Sequence, residues 1–368
     1  MKISCAQTDL SSALSLVNRA VSSNTTLPVL NNILFKAEGR RVFLSATNLE
    51  IAISASFEAN VENEGTLTVP AKMISSYVVL LNDKDVHLSV SSGNTLVVQS
   101  KGSNTKIKGI SSEEFPLLPK LEKPELIKLP SAAVLSALEQ VAFAASTNIS
   151  RPVLTGVLWQ VSGNRLKLAA TDSYRLGERT VELQGNSEKE LSFIVPSKTV
   201  QELMKILGSF AQTPEFEVSV GKGQILFKVD GVELMSRLIE GSFPDYEKIL
   251  PKESKTKAIL STEDLILALK KVSIIVRENN NNVRLRVQKE GIQIASEETQ
   301  VGQGVSDLSA QITGEPVETA LNVQYLLDVL SHLNSKEVHL GLNDGLSPVM
   351  VTPASGGDYL HIIMPLKV

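Results

Sequence analysis

The densest run of chemistry-capable side chains in the sequence is Thr171-Asp172-Ser173-Tyr174-Arg175-Leu176. Asp172 as a base, with Tyr174 or Arg175 assisting, would suit proton abstraction beside a developing charge. Such work needs acid, base and nucleophile converging on one point, and no such set can be assembled from this sequence. A turn is the better reading, because Thr47-Asn48-Leu49-Glu50 repeats the pattern at the end of another strand, where Asn, Asp and Ser form turns. The four histidines (His87, His332, His339 and His361) include no pair at the i, i+4 spacing that lets a helix hold zinc. Cys5 is the single cysteine, so it makes no internal disulfide and belongs to no metal cluster; it reads as a half-buried strand residue. Gly221-Lys222-Gly223 and Gly302-Gln303-Gly304 lack the later glycines of a phosphate-cradling loop and read as turns. These residues point to a non-enzyme, with no metal and no cofactor.

The elements that carry these residues come next. A chain of 368 residues exceeds what one core usually organises, so two or three domains are expected. Hydrophobic content of 42% and charged content of 21% describe an ordinary globular protein. No apolar run approaches the roughly 18 residues of a membrane span, and MKISCAQTDL does not read as a signal peptide, so a cytoplasmic location is expected. A net charge of −4 argues against gripping nucleic acid over the whole surface but leaves room for a local basic face.

The chain repeats itself. Pro28-Val29-Leu30 returns as Pro152-Val153-Leu154, and Ala13-Leu14-x-x-Val17 returns as Ala137-Leu138-x-x-Val141 and Ala268-Leu269-x-x-Val272. Apolar residues follow helical spacing in each copy: Leu10, Leu14, Val17, Val21; Val134, Leu138, Val141, Ala145; Leu265, Leu269, Val272. Thr8 or Asp9, Ser131, and Ser261 or Thr262 are expected N-caps, and Ser261 with Asp264 fits a capping box. A second helix follows in every copy, starting near Val69-Pro70, Val195-Pro196 and Leu321. Alternating strands begin at Asp85, Phe216 and Glu337, and hairpins turn at Gly39, Gly163 and Gly291. Phe115-Pro116 and Phe243-Pro244 close the first two copies alike. The predicted fold class is α+β, with three repeated modules over 1–122, 126–252 and 253–368. Polar, proline-containing joins lie at Leu121-Glu122-Lys123-Pro124 and Pro251-Lys252-Glu253-Ser254.

Basic residues recur on the predicted helices: Arg19, Lys72, Lys198, Lys205, Lys270, Lys271 and Arg277. Lys72 and Lys198 hold one repeat position, just inside the second helix of two copies. The C-terminal run from Tyr359 to Val368 stays apolar almost to its end, which suits a last strand that ends in a surface cleft or one tucked into the third module. Its Met364-Pro365-Leu366 suits peptide capture.

The segments TLPVL from Thr26, TDSYRL from Thr171, FPDYEKILP from Phe243 and the ending MPLKV resemble the bacterial DNA polymerase III beta subunit family, and the likeness spans the whole chain. Members are head-to-tail homodimers that close a ring around double-stranded DNA, with helices inside and antiparallel sheets outside. They tether the replicative polymerase without reading sequence. Six helices about 9 Å apart make a circle about 17 Å across, leaving roughly 7 Å after radii of about 5 Å. Twelve leave roughly 24 Å on the same count, so a duplex fits only a dimer. The fused repeats alone also allow a peptide-binding scaffold that never touches DNA, or an enzyme acting on nucleotides or DNA.

The resemblance implies a pocket for short extended peptides with Gln, Leu and Phe-type anchors, carried by the clamp loader, polymerases and repair proteins. Carried over by position, it comprises Arg151, Leu154, Thr171, Ser173, Tyr174, Arg175 and Leu176. Pro244, Lys248 and Ile249 follow, and the tail adds Ile362, Met364, Pro365 and Leu366. Arg19, Asn24, Lys72, Lys198 and Lys205 are expected to face DNA. The dimer joint is expected to pair Thr105-Lys106-Ile107-Lys108 with Ser273-Ile274-Ile275-Val276 of the next subunit, Thr105, Ile107, Ile274 and Ile275 making contact. This chain departs from the family where Ser173-Tyr174 stand for Gly-His, where Leu366-Lys367-Val368 stand for Met-Arg-Leu, and at Asn24, often basic elsewhere.

Overall fold

The computed structural model describes residues 1–22, 26–118, 121–276, 281–298 and 302–366. Its α-helices are α1 (Gln7–Val17), α2 (Ala71–Val79), α3 (Ser131–Val141), α4 (Ser197–Ser209), α5 (Thr262–Val276) and α6 (Val323–Ser331). The periodic apolar residues face inward: Leu10, Leu14 and Val17 of α1, Val134, Leu138 and Val141 of α3, and Leu265, Leu269 and Val272 of α5 are all buried. Val21 and Ala145 lie past the ends of α1 and α3.

The helix starts differ in part from expectation. Helix α1 begins at Gln7, before Thr8 and Asp9, and has no side-chain cap. Its cap is tertiary. The Gln7 N–H donates to the Lys84 carbonyl at 2.8 Å, Ser131 to Pro214 at 2.9 Å, and Thr262 to Lys336 at 2.9 Å. Each acceptor immediately precedes a strand (Asp85–Ser91, Glu215–Gly221 and Glu337–Leu342), so one contact serves all three repeats by satisfying an orphan helix donor. Ser131 is therefore the first residue of α3 rather than its cap. Ser261 does cap α5, accepting from the Asp264 N–H at 3.2 Å.

Met1–Ala132 with Glu202–Leu238 form one compact unit. Its five-stranded sheet runs Asn60–Asn63, Lys2–Ala6, Asp85–Ser91, Thr95–Ser100, Ser103–Lys108. Its eight-stranded sheet runs Glu125–Pro130, Glu215–Gly221, Gln224–Val229, Val232–Arg237, Ile51–Glu58, Arg41–Thr47, Asn32–Glu38, Gly65–Pro70. Val232–Arg237 pairs antiparallel with Ile51–Glu58, Val232 opposite Ala55 and Ser236 opposite Ile51. Strands of the first and second repeats thus share one sheet, which is why the compact unit cuts across the repeat. Helices α1 and α2 pack against each other in this unit.

Ala133–Gln201 with Ile239–Val368 form the second unit. Its seven-stranded sheet runs Gly156–Thr171, Arg175–Pro196, Tyr359–Ile363, Val349–Pro353, Glu337–Leu342, Thr256–Ser261, Gln311–Thr313. A second inter-repeat pairing sets Arg175 opposite Ile363 and Arg179 opposite Tyr359. The four-stranded sheet runs Val305–Leu308, Gly291–Ala295, Asn282–Gln288, Val317–Asn322. Val283, Leu285 and Val287 alternate inward from it onto a core with Leu269, Leu326 and Tyr359.

Two local expectations are corrected. The hairpin expected around Gly163 is one 16-residue strand, whose register against Arg175–Pro196 shifts at that glycine. Gly163 takes φ 58 at no steric cost and keeps the chain pairing through an irregularity instead of ending the strand. Ser273–Val276 is no edge strand either: it is the last turn of α5, whose backbone groups are already committed to the helix. Ile274 remains exposed on that turn, whereas Ile107, at 2% exposure, points into its own core.

Candidate functional site

The turn Thr171–Arg175 is built from its own side chains. The Thr171 hydroxyl donates to the Arg175 carbonyl at 2.6 Å and accepts from the Ser173 N–H at 3.1 Å. Asp172 Oδ1 accepts from the N–H groups of Tyr174 (2.9 Å) and Arg175 (3.0 Å), so its carboxylate is spent on the turn. Ser173 sits at φ 81, and the Arg151 guanidinium donates to its hydroxyl at 3.1 Å. Tyr174, largely exposed, accepts the Met364 N–H on its carbonyl at 2.8 Å.

Arg175 does not reach out of the site. Its Nε donates to Asp172 at 3.0 Å, one terminal nitrogen to Asp328 at 2.5 Å and the other to the Phe143 carbonyl at 2.9 Å. The guanidinium also lies 4.6 Å from the Tyr325 ring centroid and 5.4 Å from that of Phe143. A planar fork with donors on every side makes arginine suited to this post. Phe143 in turn stacks on His332 and His361 at 4.7 and 5.4 Å. His361 is fully buried, and burial, assisted by Arg175, pushes its pKa down to about 3, so the ring is neutral.

Beside the turn lies a separate apolar cluster. Leu158, Ala169, Leu176, Ile194, Tyr246 and Ile362 form its buried floor; Val153, Phe243, Met350 and Leu360 are half-covered around it. Tyr246 donates to Glu178 at 2.5 Å; burial and that carboxylate push the phenol pKa up, fixing the ring as a donor. Lys167 donates to Glu247 at 2.7 Å; burial works against its charge, but Glu247 and Glu178 hold its pKa up. Above the floor, Pro244, Lys248 and Ile249 are exposed, with Lys248 paired to Asp245 at 2.7 Å. Met364, Pro365 and Leu366 are half-buried, the Leu366 N–H donating to the Ala320 carbonyl at 2.8 Å.

The sequence-predicted residues therefore divide by position. Leu176 and Ile362 are floor, Thr171 and Arg175 hold the turn, and Arg151, Ser173, Tyr174, Pro244 and Ile249 stand at the surface. Leu154 is buried, outside that cluster. Sequence reasoning missed Phe143, Asp328 and Tyr325, which lie far along the chain from the turn they support, and Glu178, whose partner Tyr246 is distant in sequence. Phe243 and Tyr246 were signalled by the repeated Phe-Pro closure.

Among the expected basic residues, Lys72, Lys198, Lys270 and Lys271 are exposed on their helices. Arg19 and Lys205 approach the same carboxylate, Glu202, at 3.5 and 2.7 Å. Asn24 and Arg277, like Lys367 and Val368 of the tail, lie outside the described residues.

Repeated helix-and-sheet modules joined through shared sheets are the architecture of sliding clamps. A Bacillus subtilis DNA polymerase sliding clamp superposes with a TM-score of 0.95 at 28% identity, covering 100% of this chain and 99% of that one. The DNA polymerase III subunit beta of Pseudomonas aeruginosa gives 0.96 at 25% identity, with both chains covered fully. The Synechocystis beta sliding clamp is 33% identical over 388 residues, covering 100% of this chain and 99% of its own. Family models of the DNA polymerase III beta subunit match in order: the N-terminal domain at residues 1–119, the central domain at 128–245 and the C-terminal domain at 247–367. The chain belongs to the DNA polymerase III beta subunit family, the beta sliding clamps.

Proposed function

We propose that this chain is a processivity factor without catalytic activity, which a second copy closes into a ring around duplex DNA. The observation that carries the reading is a pair of unmatched sheet edges. In the first repeat the edge strand Ile51–Glu58 receives Val232–Arg237; in the second, Arg175–Pro196 receives Tyr359–Ile363. The third repeat's counterpart, Val305–Leu308, ends its sheet, and so does Ser103–Lys108, the first repeat's counterpart of the received strands. Each open edge asks for the other from a second chain, because unpaired strand edges template pairing. Head-to-tail pairing of two copies would join each of these two edges to the other and close a ring. Exposed Ile274, at the end of α5, and Ile275 beside it would pack near that joint, with Thr105 on the strand it receives.

The repeats, taken as 1–122, 126–252 and 253–368, then supply twelve helices to one ring. Lys72, Lys198 and Lys205 would meet phosphates through water, while the net charge of −4 keeps the remaining surface from holding DNA. Retention is then topological, and sliding stays free. The groove over Leu176 and Ile362 would take extended peptides of the replicative polymerase, clamp loader and repair proteins in turn. Apolar anchors in a preformed cleft give exchangeable binding.

The test is processivity. On a primed circular template, a polymerase bearing such a peptide should extend in longer runs with the loaded chain than without it. Run lengths that do not change with the chain present would refute the assignment.

A further inference from the structure

The first inter-repeat junction carries a cavity of about 280 Å³ lined by Leu49, Ile51, Pro116, Leu117, Met235 and Arg237, among others. Its walls repeat those of the groove at Thr171–Arg175. The Thr47 hydroxyl donates to the Ile51 carbonyl and accepts from the Leu49 N–H, at 2.8 and 3.0 Å. Asn48 Oδ1 accepts from Glu50 and Ile51, at 3.0 and 2.9 Å, as Asp172 does from Tyr174 and Arg175. The Arg237 N–H donates to the Glu50 carbonyl, the bond that Met364 makes with Tyr174. Phe115 is buried with Val29 and Leu30 where Phe243 packs beside Val153.

The side chains on this duplicated frame differ in a way that points to a ligand. Leu49 stands at φ 74, a conformation that leucine rarely adopts, and is about half exposed. Leu117 is 97% exposed beside it. Ile51 replaces Arg175, so the charged brace of the second groove is missing here. Arg237, exposed on the wall, has no ion pair among the described residues, and neither has Glu50 next to it. Two exposed leucines around a preformed cleft complement an extended peptide with bulky apolar side chains, and the Arg237 guanidinium, beside Glu50 on the wall, offers donors to a carboxylate on that peptide.

We infer that the first junction is a second peptide groove, which takes extended apolar peptides flanked by an acidic residue. The inference rests on reading the Leu176–Ile362 groove as a peptide site, since it borrows that site's frame. Two copies of a groove on one chain would let one partner engage twice, or two partners share a ring.

Methionines report on each groove separately: Met235 lines the first, and Met364 stands at the second. The full chain, methyl-labelled at methionine, is titrated with acetyl-Asp-Leu-Ala-Leu-Phe-amide and with the same peptide starting in Lys. The acidic probe should shift the methyls of both Met235 and Met364. Leu117→Glu, a change at an exposed position, should weaken the Met235 response about tenfold and leave Met364 unchanged. Arg237→Glu should transfer the Met235 preference to the Lys probe. Response at Met364 alone overturns the groove at the first junction and leaves the reading of the Leu176–Ile362 groove standing; response at Met235 alone supports the inference while removing that reading. No response at either overturns both. A Met235 shift that survives Leu117→Glu, or that follows protein concentration without peptide because a second copy covers the cavity, also overturns it.

Discussion

Thr47 and Thr171 perform one task in two places. Each hydroxyl donates to the carbonyl four residues on, Ile51 at 2.8 Å and Arg175 at 2.6 Å, and each closes the turn where two repeats share a sheet. The turn is thus a joint of the architecture first. The side chains around it differ, with Arg175 bound to Asp172 and Asp328 where Ile51 stands in the other copy.

Replacing Arg175 by Ala should cost about 2–3 kcal/mol, because Asp172 and Asp328 lose their shared partner in a half-buried setting. Arg175→Lys should recover little, since one ammonium cannot serve three directions. Urea unfolding followed at Tyr325 and Phe143 checks this; equal stability of Arg175→Ala and the parent chain would show that the brace contributes nothing.

Stability should fall as pH drops below about 6.5. His361 is neutral in the folded chain, its pKa lowered to about 3, while the unfolded chain takes up a proton near the ordinary histidine value. Between those limits the unfolded state binds more protons, so stability rises with pH with a slope approaching about 1.4 kcal/mol per unit. Urea midpoints from pH 4 to 7 read the slope. His361→Gln should flatten it.

Ending the chain after Ile363 should abolish peptide binding in the Leu176–Ile362 groove and spare dimerisation. The strand Tyr359–Ile363 and its pairing with Arg175–Arg179 remain, while Met364, bonded to the Tyr174 carbonyl, and the residues after it are removed. Fluorescence polarisation with a labelled peptide reads the first effect and light scattering the second. Unchanged peptide affinity would remove the tail from the site.

Ile274→Asp should turn a particle of about twice 39.8 kDa into one near 39.8 kDa without loss of fold. The side chain is 69% exposed in one chain, so a charge there costs little until a second copy covers it. Sedimentation equilibrium distinguishes the two masses. A variant still twice the chain mass would place the joint elsewhere.

The repeat was legible because helix faces need Leu and Val at fixed spacing: Leu10, Leu138 and Leu269 are buried as their periodicity requires. The turn at Thr171 was legible because an Asp at this place bonds the following backbone, as Asp172 does. The tertiary caps on Gln7, Ser131 and Thr262 were not, since their acceptors are backbone carbonyls that carry no side-chain signature. The joint at Ser273–Val276 misled for a different reason. That pairing was carried over from the resemblance, whereas Leu265, Leu269, Val272 and Val276 are buried along one helix that runs through the segment. Asp328 and Phe143 were invisible beside Arg175 because only the folded chain brings them together.

Retention by linkage has one direct test. The chain is loaded onto a nicked circular duplex, isolated from free protein, and its dissociation followed before and after the circle is cut once. Retention should be long on the circle, insensitive to salt that screens the lysine–phosphate contacts, and lost rapidly from the linear form. Equal dissociation rates from circular and linear DNA would contradict an encircling clamp.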